Sequence, residues 1–449
     1  MAPTKRTSEP AMPDPVDLLI EAKWIIPVEP ADIVLENHSV VVDKGRIVAI
    51  LQQSDGKIRF APREVARLHD HVLIPGLINL HTHAAMSLLR GLADDLPLDV
   101  WLREHIWPAE AKHVSPQFVH DGTLLACAEM LRGGITCFND MYFFPQATVK
   151  AARTLGMRAV IGLIAMDFPS AYAADADDYL AKGLAVRDEF RDSPLLGFCL
   201  APHAPYTVSD RNFEKVLTLA EQCDIPLHLH IHETRKEIED SLRLFGVRPI
   251  ERLRRLGVLG PGLIGAHAVH LEDHEMLLLA RHGCSVAHCP GSNLKLASGI
   301  APVVPMIQRG VNVGLGTDGA ASNNRLDILQ EMRLASLLAK GSSGQADAVG
   351  AHHALRMATL NGARALGLDK EIGSIEAGKS ADFCAIKTDD SLLSPCYDPV
   401  SLLAYSAGRE HVSDVWVAGK ACVSNGTLLC CSTIELKNLA ALWQNRICP

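Results

Sequence analysis

His81-Thr82-His83 places two imidazoles two residues apart. On a strand such residues share a face, so both rings can reach one point. Further along come His203, the run His228-Leu229-His230-Ile231-His232-Glu233, His267, His288 and Gly316-Thr317-Asp318-Gly319. Three neutral imidazoles and one carboxylate make a good ligand set for a divalent ion, with a position left open for water. An ion so held lowers the pKa of its water from about 16 to about 7, which is the chemistry of hydrolysis at neutral pH. A single histidine on a strand is more often a hydrogen-bonded core residue, and His-x-His alone is a weak signal. The weight lies in the conjunction of a histidine pair, further histidines and an aspartate at corresponding strand ends.

Those strands are eight apolar or β-branched runs: Val72–His83, Ile135–Met141, Arg158–Met166, Leu195–His203, Ile225–Glu233, Leu263–Val269, Ser285–Pro290 and Val311–Asp318. Helical patterns alternate with them at Gln117–Arg132, Ala147–Leu155, Asp178–Arg191, Asp210–Cys223, Arg248–Leu256 and Asp273–Arg281. Strict alternation implies a parallel sheet, and eight units imply an α/β chain closing into a (β/α)8 TIM-like barrel. Active groups of such barrels sit at the C-terminal ends of the strands, which is where these histidines and Asp318 fall. The flanks are different. Short strands at Leu18–Ile20, Ser39–Asp43, Arg46–Ile50, Ala381–Ile386, Asp414–Val417 and Ala421–Val423 predict a small β-sandwich built from both chain ends. The expected division is 15–72 with 381–449 for the small domain, 73–380 for the barrel, a terminal helix at Ile434–Asn445, and a disordered 1–14.

Composition narrows the function. The chain has 449 residues, 48% hydrophobic and 21% charged, with 43 basic against 52 acidic side chains and a net charge of −9. That balance excludes a broad basic surface for nucleic acid. No run of about 18 apolar residues offers a membrane span, and residues 1–15 lack the apolar stretch of a secretory signal. The twelve cysteines form no CxxC pair, and Cys430–Cys431 are adjacent. They read as small buried hydrophobes in a reducing cytoplasm.

Pro75-Gly76-Leu77-Ile78-Asn79-Leu80-His81-Thr82-His83, the His230-x-x-Glu233 spacing, Gly316-Thr317-Asp318-Gly319 and the C-terminal run Gly373–Phe383 resemble the amidohydrolase superfamily. More narrowly, His288-Cys289-Pro290-Gly291-Ser292-Asn293-Leu294-Lys295 and Asp318–Asn324 resemble its methylthioadenosine/S-adenosylhomocysteine deaminases and their triazine-hydrolase relatives. The likeness runs from about residue 17 to 425. It implies His81, His83, His230 and Asp318 as metal ligands. His228 and His232 share the strand parity of His230, and only the match to His-x-x-Glu prefers His230. Strand four ends Ala201-Pro202-His203, with no lysine to bridge a second ion, so one divalent metal is expected. Zn²⁺ is the first choice, and Fe²⁺ or Mn²⁺ suit the same ligands.

The resemblance also implies roles. His267 orients the attacking water, Glu233 protonates the ring nitrogen beside the attacked carbon, and Asp318 passes a proton to departing ammonia. Trp101 and Glu110, in the long segment after strand one, match the residues set against the nucleoside and its ribose hydroxyls. His203 matches a purine-edge contact and Ser322 a nearby polar one. The stretch Ile161–Lys182 has no arginine or lysine before Lys182, so an uncharged methylthio tail suits it better than an amino-acid zwitterion. The expected activity is deamination of an adenine nucleoside, 5'-methylthioadenosine first, with S-adenosylhomocysteine or adenosine weaker. Guanine or 8-oxoguanine deamination and triazine hydrolysis would use the same ligands. A non-enzymatic assembly protein would lack them. Relatives suggest a homo-oligomer.

Overall fold

The computed structural model describes residues 13–448, so most of the segment expected to be disordered, residues 1–12, lies outside the described residues. Two eight-stranded sheets organise them. The parallel sheet holds β5 (Leu77–Thr82), β6 (Ile135–Tyr142), β7 (Arg158–Ala165), β8 (Leu196–Pro202), β9 (Leu227–Ile231), β10 (Leu263–His267), β11 (Ser285–His288) and β12 (Asn312–Leu315), in sequence order. It is a nearly closed TIM-like barrel. The seam between β12 and β5 is joined just past the strand ends, where the Asp318 N–H donates to the His81 carbonyl at 2.9 Å. The Asn79 amide also exchanges hydrogen bonds with Thr317 there. At the other end of the barrel Ile78, Leu80, Val160 and Ile264 pack on Ala363 and Ala365 of the helix Leu360–Ala365, a plug that leaves only the upper rim open.

The mixed sheet comes from both chain ends: β1 (Asp14–Ile25), β2 (Leu35–Asp43), β3 (Arg46–Gln52) and β4 (Phe60–Pro75) from one, β13 (Phe383–Lys387), β14 (Val412–Val417), β15 (Lys420–Ser424) and β16 (Thr427–Leu428) from the other. It folds over, so that the β2–β3 turn at Gly45 lies against the β14–β15 turn at Ala418–Gly419. One shared core then holds Ile20, Val40, Leu73, Phe383 and Trp416. The two halves meet where β13 pairs antiparallel with β4, Phe383 opposite Pro75 and Ile386 opposite Val72.

The run Val72–His83 is two strands rather than one. Val72–Pro75 ends β4 in the mixed sheet and Leu77–Thr82 is β5 in the barrel. Gly76 is the crossing point, because a Cβ there would stand 2.0 Å from Thr136 Oγ1. The C-terminal helix, Thr433–Ile447, follows the small domain in sequence. It packs on the barrel helix Pro116–Arg132, with the Trp443 indole donating to Asp121 at 2.9 Å and lying edge-on to Phe118.

The segment after β5 is helical almost throughout: a 3-10 turn at Ala84–Leu89, then Leu98–Val100, the wide-turned Trp101–Ile106 and Trp107–His113. It roofs the barrel rim. No helix among the described residues is long and apolar enough to cross a membrane.

Candidate active site

The imidazoles at the rim converge. His81 Nε2 and His83 Nε2 each lie 3.3 Å from Asp318 Oδ1, and His230 Nε2 lies 3.3 Å from His83 Nε2. Each ring is fixed from behind. His83 Nδ1 donates to the Met141 carbonyl at 2.5 Å and His230 Nδ1 to the His203 carbonyl at 2.7 Å, so both present a bare Nε2 to the centre. Behind His81 stands His228, Nε2 to Nδ1 at 2.9 Å, itself held by the Asn139 amide. Asp318 is fixed on both oxygens: Oδ2 accepts from Ser292 at 2.6 Å and Ser322 at 2.7 Å, and Oδ1 from the Gly319 N–H at 2.7 Å.

Electrostatics keep His81, His230 and Asp318 in ligand form. Burial pushes His81 down to about 4, and His228 and His230 well below the usual histidine range. Burial pushes the Asp318 carboxyl up, but the adjoining His81 and His83 rings outweigh it and hold it well below the carboxylate range. His81 Nε2 is buried without a hydrogen-bond partner. Donor atoms gather in two overlapping groups, His81 with His83 and Asp318, and His81 with His230 and His267, each close enough to share a cation. The donor set therefore fits a divalent ion such as Zn²⁺.

Two further groups border that point. His267 donates from Nδ1 to Asn293 Oδ1 at 2.8 Å, leaving Nε2 toward the centre and 3.9 Å from Glu233 Oε2. Burial lowers His267, but the charges of Glu233 and Asp318 outweigh it and the ring titrates above its usual value. Burial raises Glu233. The backbone is strained here: His232, His267 and Asp318 all take positive φ, at 50°, 73° and 61°. Such conformations persist only where the surroundings over-determine them.

Above the histidines opens a cavity of about 480 Å³. His83, His230, His267, Glu233 and Asp318 form its base, and Trp101, Trp107, Glu110, His203 and Ser322 line its walls. Of the remaining rim candidates, His228 and His288 do not reach it; burial holds His288 at about 3. His232 turns away, its ring between the Ile250 N–H and the His270 carbonyl, because its left-handed φ breaks the strand alternation. Ser322, expected beside a substrate, spends its hydroxyl on Asp318. Tyr142 escapes a reading of the sequence. Its hydroxyl donates to Glu110 Oε1 at 2.6 Å, and a tyrosine ending a strand gives no signal of that. Ser292, Asn293 and Asn139 are equally silent. The far walls are apolar, with Phe143, Ile164, Met166, Phe168 and Ala171, and among the described residues the lining has no lysine or arginine.

A model of the amidohydrolase family matches residues 72–422. A 5-methylthioadenosine/S-adenosylhomocysteine deaminase of Teredinibacter turnerae is 45% identical over 432 residues, covering 96% of this chain and 98% of that protein. A 5'-deoxyadenosine deaminase of Methanothermobacter thermautotrophicus is 43% identical, covering 80% of this chain and 83% of its own. The crystal structure of an adenosine deaminase from Xanthomonas campestris with bound zinc superimposes with a TM-score of 0.96 at 49% identity, over 97% of this chain and 99% of that one. Fold, converging rim groups and family match agree, and the chain belongs to the amidohydrolase family.

Proposed function

We propose that the protein is a hydrolytic deaminase of the 6-amino group of adenine nucleosides, with 5'-methylthioadenosine preferred over S-adenosylhomocysteine and adenosine. The observation that carries this reading is a cavity with Glu233 beside the imidazole cluster at its base, one carboxylate, Glu110, on its wall, and no cationic side chain in its lining. The names of the relatives support the nucleoside class.

His81, His83, His230 and Asp318 would hold one Zn²⁺; β8 ends at Pro202 and is followed by His203, with no lysine for a second ion. When bound, the ion brings a water's pKa near 7 and makes it a nucleophile at neutral pH. The reaction forms a C6–O bond and breaks C6–N6. Glu233, whose carboxyl is raised by burial, donates a proton to N1 of the ring as C6 is attacked. Asp318 takes the water's proton and passes it to the departing amine. His267, fixed by Asn293, orients the water. His203 reads the purine edge, Trp101 packs on the nucleoside, Ser322, whose proton goes to Asp318, offers only its oxygen as an acceptor near the purine, and Glu110 accepts from the vicinal ribose hydroxyls.

Against the walls of Phe143, Ile164, Met166 and Ala171 a tail ending in an amino-acid zwitterion finds no partner for its carboxylate; Arg103, Arg235, Lys236 and Arg243 line the adjoining cavity, outside this one. A methylthio group is uncharged. All twelve cysteines are free, in keeping with a cytoplasmic site of action. A homo-oligomer belongs to the same reading and is checked by sedimentation. The deciding experiment follows ultraviolet absorbance with 5'-methylthioadenosine, S-adenosylhomocysteine, adenosine, guanine and 8-oxoguanine. The highest kcat/KM is expected for 5'-methylthioadenosine. Conversion of a free base with none of the nucleosides, or a clear preference for S-adenosylhomocysteine, overturns the proposal.

A further inference from the structure

Glu237 lies one turn into the helix Arg235–Phe245, and its carboxylate is buried. The helix is capped by Thr234, whose hydroxyl accepts from the Glu237 N–H at 3.2 Å. In the usual reciprocal arrangement the third helical residue returns its carboxylate to the N–H of the cap residue itself. Glu237 reaches further back. Its Oε1 accepts from the His232 N–H at 2.9 Å and its Oε2 from the Glu233 N–H at 2.8 Å. Among the described residues no cationic side chain stands within 4 Å of it, so those two amides are what satisfies this buried carboxylate. The amides belong to the peptide segment in which His232 takes φ of 50°, the turn that sends the His232 ring away from the cavity and brings Glu233 to face His267.

We propose that Glu237 is a positioning residue that fixes the 232–233 backbone and thereby aims the Glu233 carboxyl into the cavity. The proposal rests on the reading of Glu233 as the proton donor. A helix cap alone would be served by Thr234. A carboxylate that bypasses the cap and clamps two consecutive amides, one of them on a strained residue, holds the direction of the next side chain. Glu237 is not in the lining of the cavity above the histidines, so its positioning effect on turnover passes through the segment that carries Glu233.

That dependence sets the test. Glu233→Gln, Glu237→Gln and the double variant are prepared with the metal-loaded, full-length protein, and kcat, KM and metal content are measured on the best nucleoside substrate. The change Glu237→Gln keeps the size of the side chain but turns an amide donor toward one of the two N–H groups. It should lower kcat at least about tenfold, with KM and metal content within about twofold of the parent. The double variant should be no slower than Glu233→Gln alone, because a residue acting only through Glu233 has nothing left to lose. In hydrogen–deuterium exchange the 230–236 segment should exchange at least about tenfold faster in Glu237→Gln. If that variant does not accumulate, Glu237→Asp, too short to reach both amides, takes its place. Additive losses in the double variant, a kcat within about twofold of the parent, or unchanged exchange overturn the proposal. If the parent deaminates no nucleoside, the deaminase reading falls, and the exchange measurement still decides whether Glu237 holds this segment.

Discussion

His228 Nε2 meets His81 Nδ1 at 2.9 Å beneath the barrel rim, with both rings fully buried. The contact gives the innermost candidate ligand a fixed orientation, as the Met141 and His203 carbonyls do for His83 and His230.

Removing such a support should weaken metal binding without touching a ligand. For His228→Ala we expect about 10–100-fold lower metal affinity, read by competition with a calibrated chelator. His228→Asn should retain part of the affinity. An affinity equal to the parent's would separate the His228 contact from the metal. Chelation of the parent should abolish ammonia release, and Zn²⁺ should restore it.

Glu110 and Tyr142 form a second pair, 2.6 Å apart on the cavity wall, and burial raises the Glu110 carboxyl. Losing the phenolic hydrogen bond in Tyr142→Phe should cost about 1–2 kcal/mol of substrate binding, a roughly tenfold rise in KM for ribonucleosides with little change in kcat. Glu110→Gln should damage nucleoside turnover far more than turnover of a free base. Equal losses on both would remove Glu110 from ribose recognition.

Asp140 is buried beside His83, accepting from the Ala84 N–H, and burial raises its carboxyl from 3.8 to about 6. A carboxyl raised on folding binds its proton more tightly in the native state. Its contribution to stability is thus complete below about pH 4 and lost as pH climbs through about 6. The difference is about 3 kcal/mol at most. Metal-free Asp140→Asn, whose amide can still accept from Ala84 and donate to Thr148, should show a flatter Tm profile between about pH 4 and 7 than the metal-free parent. Parallel profiles would contradict this.

Arg158 at the start of β7 grips Asp382 with two hydrogen bonds, of 3.0 and 3.1 Å, and also reaches Ser380. Both partners of this barrel-to-sheet contact are buried. Arg158→Ala strands a buried carboxylate and should destabilise the fold by about 3–5 kcal/mol, measured by denaturant unfolding. Replacing Asp382 by Asn together with Arg158→Met should recover much of that loss.

The sequence makes the barrel legible because its strands are apolar and its helices amphipathic, two periods that do not overlap. The rim is legible where chemistry repeats: the His81–His83 pair and Asp318 come together. Along the 228–232 run parity cannot choose. His228 lies one pleat deeper, behind His81, and His232 leaves the strand geometry through its backbone angle, which no side-chain pattern encodes. Tyr142, Ser292 and Asn293 act through contacts with residues 32, 26 and 26 positions away, and each is an ordinary residue in its own element. The Val72–His83 run hides a change of sheet because both halves are equally apolar, and only the crowding of Gly76 on Thr136 marks the crossing.

The pairing of β4 with β13 has a consequence for synthesis. Strand β4 leads within one residue into β5, which carries His81, yet one of its two edges is covered only by residues 383–387. While the nascent chain is still on the ribosome, that edge stands open beside a barrel whose eight strands have all been made, an invitation to pairing with a neighbouring chain. The final stretch of the polypeptide thus acts as a clasp. A premature stop near residue 380 would spare every rim histidine and still release a sticky, aggregation-prone product.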